Sequence, residues 1–137
     1  MDEKLLRLEN LIDRLTSLEQ LRSYNRKRLE ELFAKLEIGQ KVERFADIFA
    51  FKAMNLSGIT LQKEQLCSVQ PNRYAQIIAI KDGKNINLRY FGRAESLPRE
   101  LVRDICEFVL RWRLEKSFMN VEHYRELVDG LGTLEME

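Results

Sequence analysis

One short segment of the 137-residue chain has residue types suited to proton transfer. His123, the single histidine, stands beside Tyr124 and between Glu122 and Glu126. Such side chains can act as general acids or bases, but the same mixture is typical of a solvated helix face. No G-x-S-x-G nucleophile elbow occurs. We therefore assign no catalytic residue, and an enzyme that uses carboxylates alone stays open as the third-ranked alternative.

The cysteines and the glycines give no sign of a metal or cofactor site. Cys67 and Cys106 lie 39 positions apart without a C-x-x-C motif, and one histidine cannot complete a ligand set. The phosphate-binding loops G-x-x-x-x-G-K-[ST] and G-x-G-x-x-G are both absent. The sequence therefore predicts no metal and no cofactor, and both thiols are expected in the core as small hydrophobic side chains.

Composition indicates one globular domain with a balanced surface charge. Hydrophobic residues make up 45% of the chain and charged residues 33%, while 23 basic side chains nearly cancel 22 acidic ones. A net charge of +1 does not predict a field that attracts nucleic acid or a membrane. The N-terminus MDEKLLRLEN is acidic where a signal peptide is basic, and no long apolar run follows. We expect a cytoplasmic protein without membrane contact.

Residues 3–37 have the pattern of one long helix that packs on another helix. They contain no glycine or proline, and leucine occupies seven of nine a and d positions of a heptad that starts at Leu8. Such a seam predicts a homo-oligomer, with a dimer favoured. The predicted interface residues are Leu8, Leu11, Leu15, Leu18, Leu29, Leu32 and Leu36.

The apolar stripe of this helix is wider than a two-stranded coiled coil needs. Positions e include Leu5, Ile12 and Phe33. The extra width suits packing against the chain's own body or in a bundle of more than two helices. The charges at g favour a parallel pair, since Arg14 can then meet Glu19 of the partner, but exposed pairs contribute only about 0–1 kcal/mol.

The segment RSYNRKR at 22–28 interrupts the seam with basic residues. Arg26, Lys27 and Arg28 stand beside Tyr24 and could grip phosphates. Alternatively, Arg22 and Asn25 form a polar layer that sets register, and the other side chains are a solvated face. A local break that gives a helical hairpin is a further alternative.

Residues 73–91 predict a β-hairpin closed by Asp82-Gly83, because this dipeptide tolerates the positive φ of a two-residue turn. The turn sets the expected register. The apolar inner face pairs Ala79 with Ile86, Ile77 with Leu88 and Ala75 with Tyr90. The mixed outer face pairs Ile80 with Asn85, Ile78 with Asn87, Gln76 with Arg89 and Tyr74 with Phe91.

The outer face of this hairpin is a candidate nucleic-acid interface, since aromatic rings and basic groups on a sheet can hold single strands. The alternative, which is the more common situation, is an ordinary sheet face in which a helix covers Ile78 and Ile80 and the asparagines lie near the solvated tip. The candidate binding residues are Tyr74, Gln76, Lys81, Lys84, Asn87, Arg89 and Phe91, together with Arg26, Lys27 and Arg28 of the long helix.

The remaining segments complete an α+β fold. We expect a buried second helix at 41–54, short strands at 59–61 and 66–70, a helix at 97–117 capped by Ser96, and a last short helix from Asn120 to Asp129. Trp112, Phe49 and Ile77 are expected in the core. The predicted units are a self-associating helix at 1–38, a small α+β domain at 39–132 and a frayed tail at 133–137.

The function that these features favour is non-catalytic. We expect a self-associating adaptor or regulatory protein that binds a partner macromolecule, and the alternative is a nucleic-acid-binding protein that uses the hairpin face and the basic residues.

Overall fold

The computed structural model describes residues 2–134, except for the side chain of Thr16, and its architecture is α+β as predicted. Two helices of 33 residues each lie near the two ends of the sequence: α1 is Glu3–Lys35 and α2 is Arg99–Leu131. Between them lie three strands, β1 (Ala53–Ser57), β2 (Tyr74–Lys81) and β3 (Lys84–Arg93). Short 3-10 turns occupy Ile38–Gln40, Phe45–Ala50, Lys63–Gln65 and Ala94–Ser96. The predicted tail extends to 135–137, which lie outside the described residues.

Helix α1 begins and ends where local signals place it. The Asp2 side chain accepts a hydrogen bond from the backbone N–H of Lys4 at 3.1 Å, which satisfies one of the first-turn donors. At the other end Glu37 takes a left-handed conformation with φ of 56°, so the chain turns away after Lys35.

The predicted helix at 41–54 is wrong. The structure has a 3-10 turn at Phe45–Ala50 and then strand β1. The Lys52 N–H donates to the Ile80 carbonyl at 2.7 Å, and Met54 faces the core while Asn55 is exposed. This segment is a strand because it pairs with β2, a distant segment, and that pairing outweighs the local apolar run.

The segments 59–61 and 66–70 were predicted as strands but form a loop. A single antiparallel bridge joins Ile59 to Val69 within the described chain. Cys67 has a φ of 66°, a conformation that a regular strand cannot include.

Helix α2 is continuous, so the prediction of a separate helix from Asn120 to Asp129 is wrong. No proline or glycine lies between Arg99 and Asp129. Asn120 is a favourable N-cap residue, but an N-cap needs a non-helical backbone conformation, and the helix continues through Asn120.

The sheet has the order β1-β2-β3 and is antiparallel throughout. Next to the Asp82-Gly83 turn, Ile80 pairs with Asn85 and Ala79 with Ile86. Farther out the register shifts twice, and the observed pairs are Ile77 with Arg89, Gln76 with Tyr90, Ala75 with Gly92 and Tyr74 with Arg93. The predicted pairs beyond Ile78 are therefore wrong, because each shift leaves one additional residue in β3, first Leu88 and then Phe91.

The core lies between the inner face of the sheet and one end of the helix pair. Ala75, Ile77, Ala79 and Leu88 of the sheet belong to one buried cluster with residues of both helices. Trp112 is buried, and its Nε1 donates to the Ile48 carbonyl at 2.9 Å. The core positions predicted for Trp112 and Ile77 are confirmed, and Phe49 is half-buried against the same cluster.

The two long helices run antiparallel and are joined by charged side chains. From the closed end outward, Lys35 bonds to Asp104, Arg28 to Glu107 and Arg22 to Glu115. The body of the protein thus includes the C-terminal part of α1, and both helices continue past it.

Candidate interaction surfaces

The first 19 residues of α1, 3–21, project from the body, and we call this segment the α1 arm. Every residue from Asp2 to Leu21 whose side chain is described is exposed, on all sides of the helix. The exposed apolar side chains are Leu5, Leu6, Leu8, Leu11, Ile12, Leu15, Leu18 and Leu21. An apolar stripe of this extent is typical of a surface that packs on another helix.

The structure divides the predicted leucine interface into two parts. Leu29 and Leu32 have no exposed surface and Leu36 is buried, because all three pack in the chain's own core. Leu8, Leu11, Leu15 and Leu18 follow the same heptad but are about half exposed, between 51% and 54%. Of the predicted leucine interface, only the part on the α1 arm is therefore exposed to a partner.

The end of α2 has a second exposed stripe, which the sequence analysis missed. Val121, Tyr124, Val128 and Leu131 recur at heptad spacing, with exposed fractions from 58% to 64%. They line or adjoin a shallow groove of about 390 Å³. Leu114 lies seven residues before Val121, and this periodicity would have revealed the stripe had α2 been treated as one helix. We call residues 120–134 the α2 arm.

A polar junction marks the point where the two helices leave the body. Glu115 has no exposed surface; its Oε1 accepts from Arg22 Nε at 3.2 Å and lies 3.7 Å from Arg26 Nη1. Arg22 also contacts Glu122 through Nη1. Glu115 Oε2 accepts no hydrogen bond within the described residues. One guanidinium thus connects α1 to two positions on α2 that lie about two turns apart.

Asn25 lies beside this junction and is completely buried. Its Nδ2 donates to the Arg111 carbonyl, and Arg111 Nη1 donates to Asn25 Oδ1, both at 3.0 Å. Arg22 and Asn25 thus form a polar layer within the chain.

Two of the three basic residues proposed for phosphate binding on α1 are engaged inside the chain. Arg28 bonds to Glu107, and Arg26 lies over the Phe45 and Phe49 rings at 5.8 and 4.9 Å. Lys27 is exposed. Hydrogen bonds from Arg28 lower the pKa of Glu107 to about 2, with a second contribution from Arg111 and an opposing one from burial. Arg26, Lys27 and Arg28 therefore do not form one exposed basic cluster.

The outer face of the sheet keeps part of the predicted nucleic-acid site. The Tyr74 and Tyr90 rings lie 5.9 Å apart and about half exposed, and Asn87 Nδ2 donates to Gln76 Oε1 at 3.0 Å. Lys81 and Lys84 are exposed beside the turn. Because of the bulge, Tyr90 takes the place predicted for Phe91.

Arg89 and Phe91 belong to a different environment. Arg89 Nε donates to the Leu36 carbonyl at 3.0 Å, and its Nη2 reaches Glu37 at 3.3 Å. Phe91 is half-buried against the core, with the Arg89 guanidinium 5.3 Å from its ring centre. These side chains connect the edge strand β3 to the end of α1 rather than facing outward with Tyr74.

The residues considered for catalysis and metal binding do not converge. His123 and Tyr124 are exposed neighbours on the α2 arm, while Glu122 contacts Arg22. Among the described residues, no three potential ligands from His, Cys, Asp and Glu are grouped to hold a metal ion. Burial, with a smaller contribution from a hydrogen bond with Cys67, raises the pKa of the Cys106 thiol well above its ordinary value.

Comparison with known proteins identifies no relative: no family model, curated protein or solved structure matches this chain. Within residues 2–134, neither long helix has the length of apolar sequence that crossing a membrane requires.

Proposed function

We propose that this protein self-associates through the α1 arm and acts as a non-catalytic adaptor or regulatory protein that binds a partner macromolecule. One observation carries the proposal. The same leucine heptad is buried from Leu29 to Leu36 and exposed from Leu8 to Leu18. Half of a helix-packing seam is therefore covered inside the chain, and the other half is exposed.

Two energetic considerations support association. Fully burying a leucine side chain contributes about 1.5–3 kcal/mol, so covering the remaining half of each exposed leucine contributes about 1 kcal/mol. In addition, a helix without tertiary packing is marginally stable in water, and most helical stability in proteins comes from packing an apolar face. A partner on the α1 arm would supply that packing.

The test is sedimentation equilibrium of the wild type and of Leu11→Gln/Leu15→Gln over a range of concentrations. Gln is a good helix former, and both positions are exposed, so the body should stay folded. We expect the wild type to be a dimer at tens of micromolar and the variant to be a monomer. Leu29 is unsuitable for this test because it lies in the core.

The matched control is Asn10→Gln/Ser17→Gln. Both residues are exposed on the side of α1 away from the seam, and the change introduces the same residue without altering charge. The control should remain a dimer. A monomeric wild type, or a leucine variant of unchanged mass, would contradict the proposal.

A second candidate function is binding of single-stranded nucleic acid on the outer face of the sheet. The observation that favours it is the exposed pair Tyr74 and Tyr90, next to Gln76 and Asn87. Aromatic rings on an open sheet can stack on bases. The basic contribution is smaller than the sequence predicted, since Arg26, Arg28 and Arg89 have partners inside the chain.

A further inference from the structure

We propose that the α2 arm is the second half of the self-association surface, so that two copies assemble a four-helix bundle from two α1 arms and two α2 arms. This inference rests on the proposed self-association through α1. The occupant of the exposed α2 stripe is thus a second copy of this chain.

The width of the α1 stripe supports a bundle rather than a two-stranded coil. Leu8, Leu11, Leu15 and Leu18 occupy a and d, and Leu5 and Ile12 add a third row at e. Apolar residues at a, d and e cover the face that a helix presents to two neighbours in a bundle, whereas a two-stranded seam uses a and d alone. A second α1 arm covers one part of this face and leaves the rest for another helix.

The length of the α1 arm also indicates that a further helix takes part in the interface. Its 19 residues span fewer than three heptads, while coiled coils recognisable from sequence usually sustain the pattern over about three to four heptads or more. A stable interface usually involves about 20–30 residues a side, and a helix buries one face rather than its whole circumference. The α2 arm adds 15 residues with a heptad-spaced stripe of its own.

The junction places both arms where a second copy can contact them together. The helices are antiparallel, so the N-terminal part of α1 and the C-terminal part of α2 leave the body at the same end. Arg22 holds the two helices together at that point through Glu115 and Glu122. One partner can therefore cover Val121 and Val128 in the same event that covers Leu8 and Leu15.

The charge of the two arms determines whether salt strengthens or weakens the dimer. Residues 2–21 and 120–134 together have eight acidic and four basic side chains. Two copies thus bring like net charge together, and salt screens that repulsion. The dimer should become tighter as salt is raised. A basic amphipathic helix is the other occupant that the acidic arms could attract, and salt would weaken its binding.

The experiment compares three forms of the full chain by sedimentation equilibrium at low and high salt. The α2 variant is Val121→Gln/Val128→Gln/Leu131→Gln, and its control is His123→Gln, which changes an exposed position of the same segment outside the stripe without altering the formal net charge. Removing three apolar contacts from each copy should weaken the dimer about a hundredfold or more, and the control should match the wild type.

Hydrogen exchange in the wild type, measured above and below the dissociation concentration, supplies an independent readout. We expect amides of both arms to become protected as the dimer forms. Protection of 3–21 alone, with an unchanged dissociation constant in the α2 variant, would overturn the bundle and leave self-association through α1 intact. A wild type that stays monomeric would overturn both proposals. Protection of the α2 arm by an added 20-residue Lys-Leu amphipathic peptide, but not by dimerisation, would assign the stripe to a basic partner instead.

Discussion

Arg28 and Glu107 face each other across the two long helices and form a two-point hydrogen-bonded ion pair. Arg28 Nε lies 2.9 Å from Glu107 Oε2, and Arg28 Nη2 lies 3.0 Å from Oε1. Arg111 Nε donates to the same Oε2 at 2.7 Å. Both oxygens of this carboxylate are therefore held by positive groups, and parallel hydrogen bonds of this kind fix orientation as well as distance. The pair is one of three ion pairs along the antiparallel contact of α1 with α2, together with Arg22–Glu115 and Lys35–Asp104.

This ion pair should make stability depend on pH in the acidic range. The pKa of Glu107 is about 2 in the fold, below its ordinary value of 4.5. A carboxylate with a depressed pKa contributes stability above the unfolded value, and that contribution is lost as pH falls toward the folded value. We expect Glu107→Gln to cost about 1–3 kcal/mol at pH 7, after allowing for partial solvent screening.

Urea denaturation of wild type and Glu107→Gln at pH 7, 5, 4 and 3 measures this effect. The difference in unfolding free energy should be constant between pH 7 and pH 5 and should narrow by pH 3. The matched control is Glu31→Gln, since the Glu31 side chain also bonds to Arg28 but is 52% exposed. We expect it to cost about 0–1 kcal/mol. A Glu107→Gln effect that is independent of pH would mean that the pair is not what stabilises the helix contact.

The two halves of the leucine seam should respond differently to the same substitution. Leu29 has no exposed surface, whereas Leu15 is 51% exposed. Leu29→Ala should lower the unfolding free energy by about 2–5 kcal/mol because it opens a cavity in the core. Leu15→Ala, measured where the protein is monomeric, should stay within about 0.5 kcal/mol of wild type. Equal losses at both positions would show that the α1 arm folds back onto the body.

The elements predicted correctly were those with local signals. Helix α1 follows from an uninterrupted run of helix formers, and the β2–β3 turn from Asp82-Gly83. Strand β1 was missed because its hydrogen bonds go to β2, about 25 residues away along the chain. The two register shifts in β3 have no local signal either, since the irregularities at Leu88 and Phe91 depend on how the strand packs and twists.

The candidate surfaces were predicted only in part for similar reasons. A heptad specifies that a face is apolar, but Leu15 and Leu29 have the same pattern, and the fold alone determines which one the body covers. Likewise, Arg28 and Arg89 are basic residues whose partners, Glu107 and the Leu36 carbonyl, lie 79 and 53 residues away. Sequence spacing does not report such distant partners, so both appeared available for phosphate binding.

The two thiols should differ in reactivity. Cys106 is buried, and its pKa is raised because burial disfavours the thiolate; Cys67 is partly exposed. The thiolate is the reactive form. We therefore expect iodoacetamide at pH 8 to leave Cys106 unmodified in the native protein and to modify it in denaturant, with both sites followed by peptide mass spectrometry. Rapid native labelling of Cys106 would indicate that the segment around Cys67 moves away from α2.

The nucleic-acid alternative can be tested on the outer face of the sheet alone. Each stacking contact on a base is worth about 1–3 kcal/mol, so Tyr74→Ala/Tyr90→Ala should weaken binding of a labelled single strand more than tenfold. Tyr24→Ala removes an exposed tyrosine from α1 and serves as the control. Arg89 and Phe91 are also among the binding residues predicted from the sequence. They are unsuitable for this test because their loss would disturb the contact between β3 and α1.

Fluorescence anisotropy with DNA and RNA oligonucleotides at two salt concentrations separates the contributions. Neutralising Lys81 and Lys84, which are exposed beside the hairpin turn, should flatten the slope of log affinity against log salt by about 0.7 per lost contact on a single strand. Binding that survives the tyrosine variant but disappears in Lys27→Gln would move the site to α1. No binding at low salt would remove this function, and the exposed tyrosine pair would then be a surface for a protein partner or simply a solvated sheet face. Because salt should strengthen self-association and weaken nucleic-acid binding, sedimentation equilibrium and anisotropy at the same two salt concentrations together distinguish the two proposed functions.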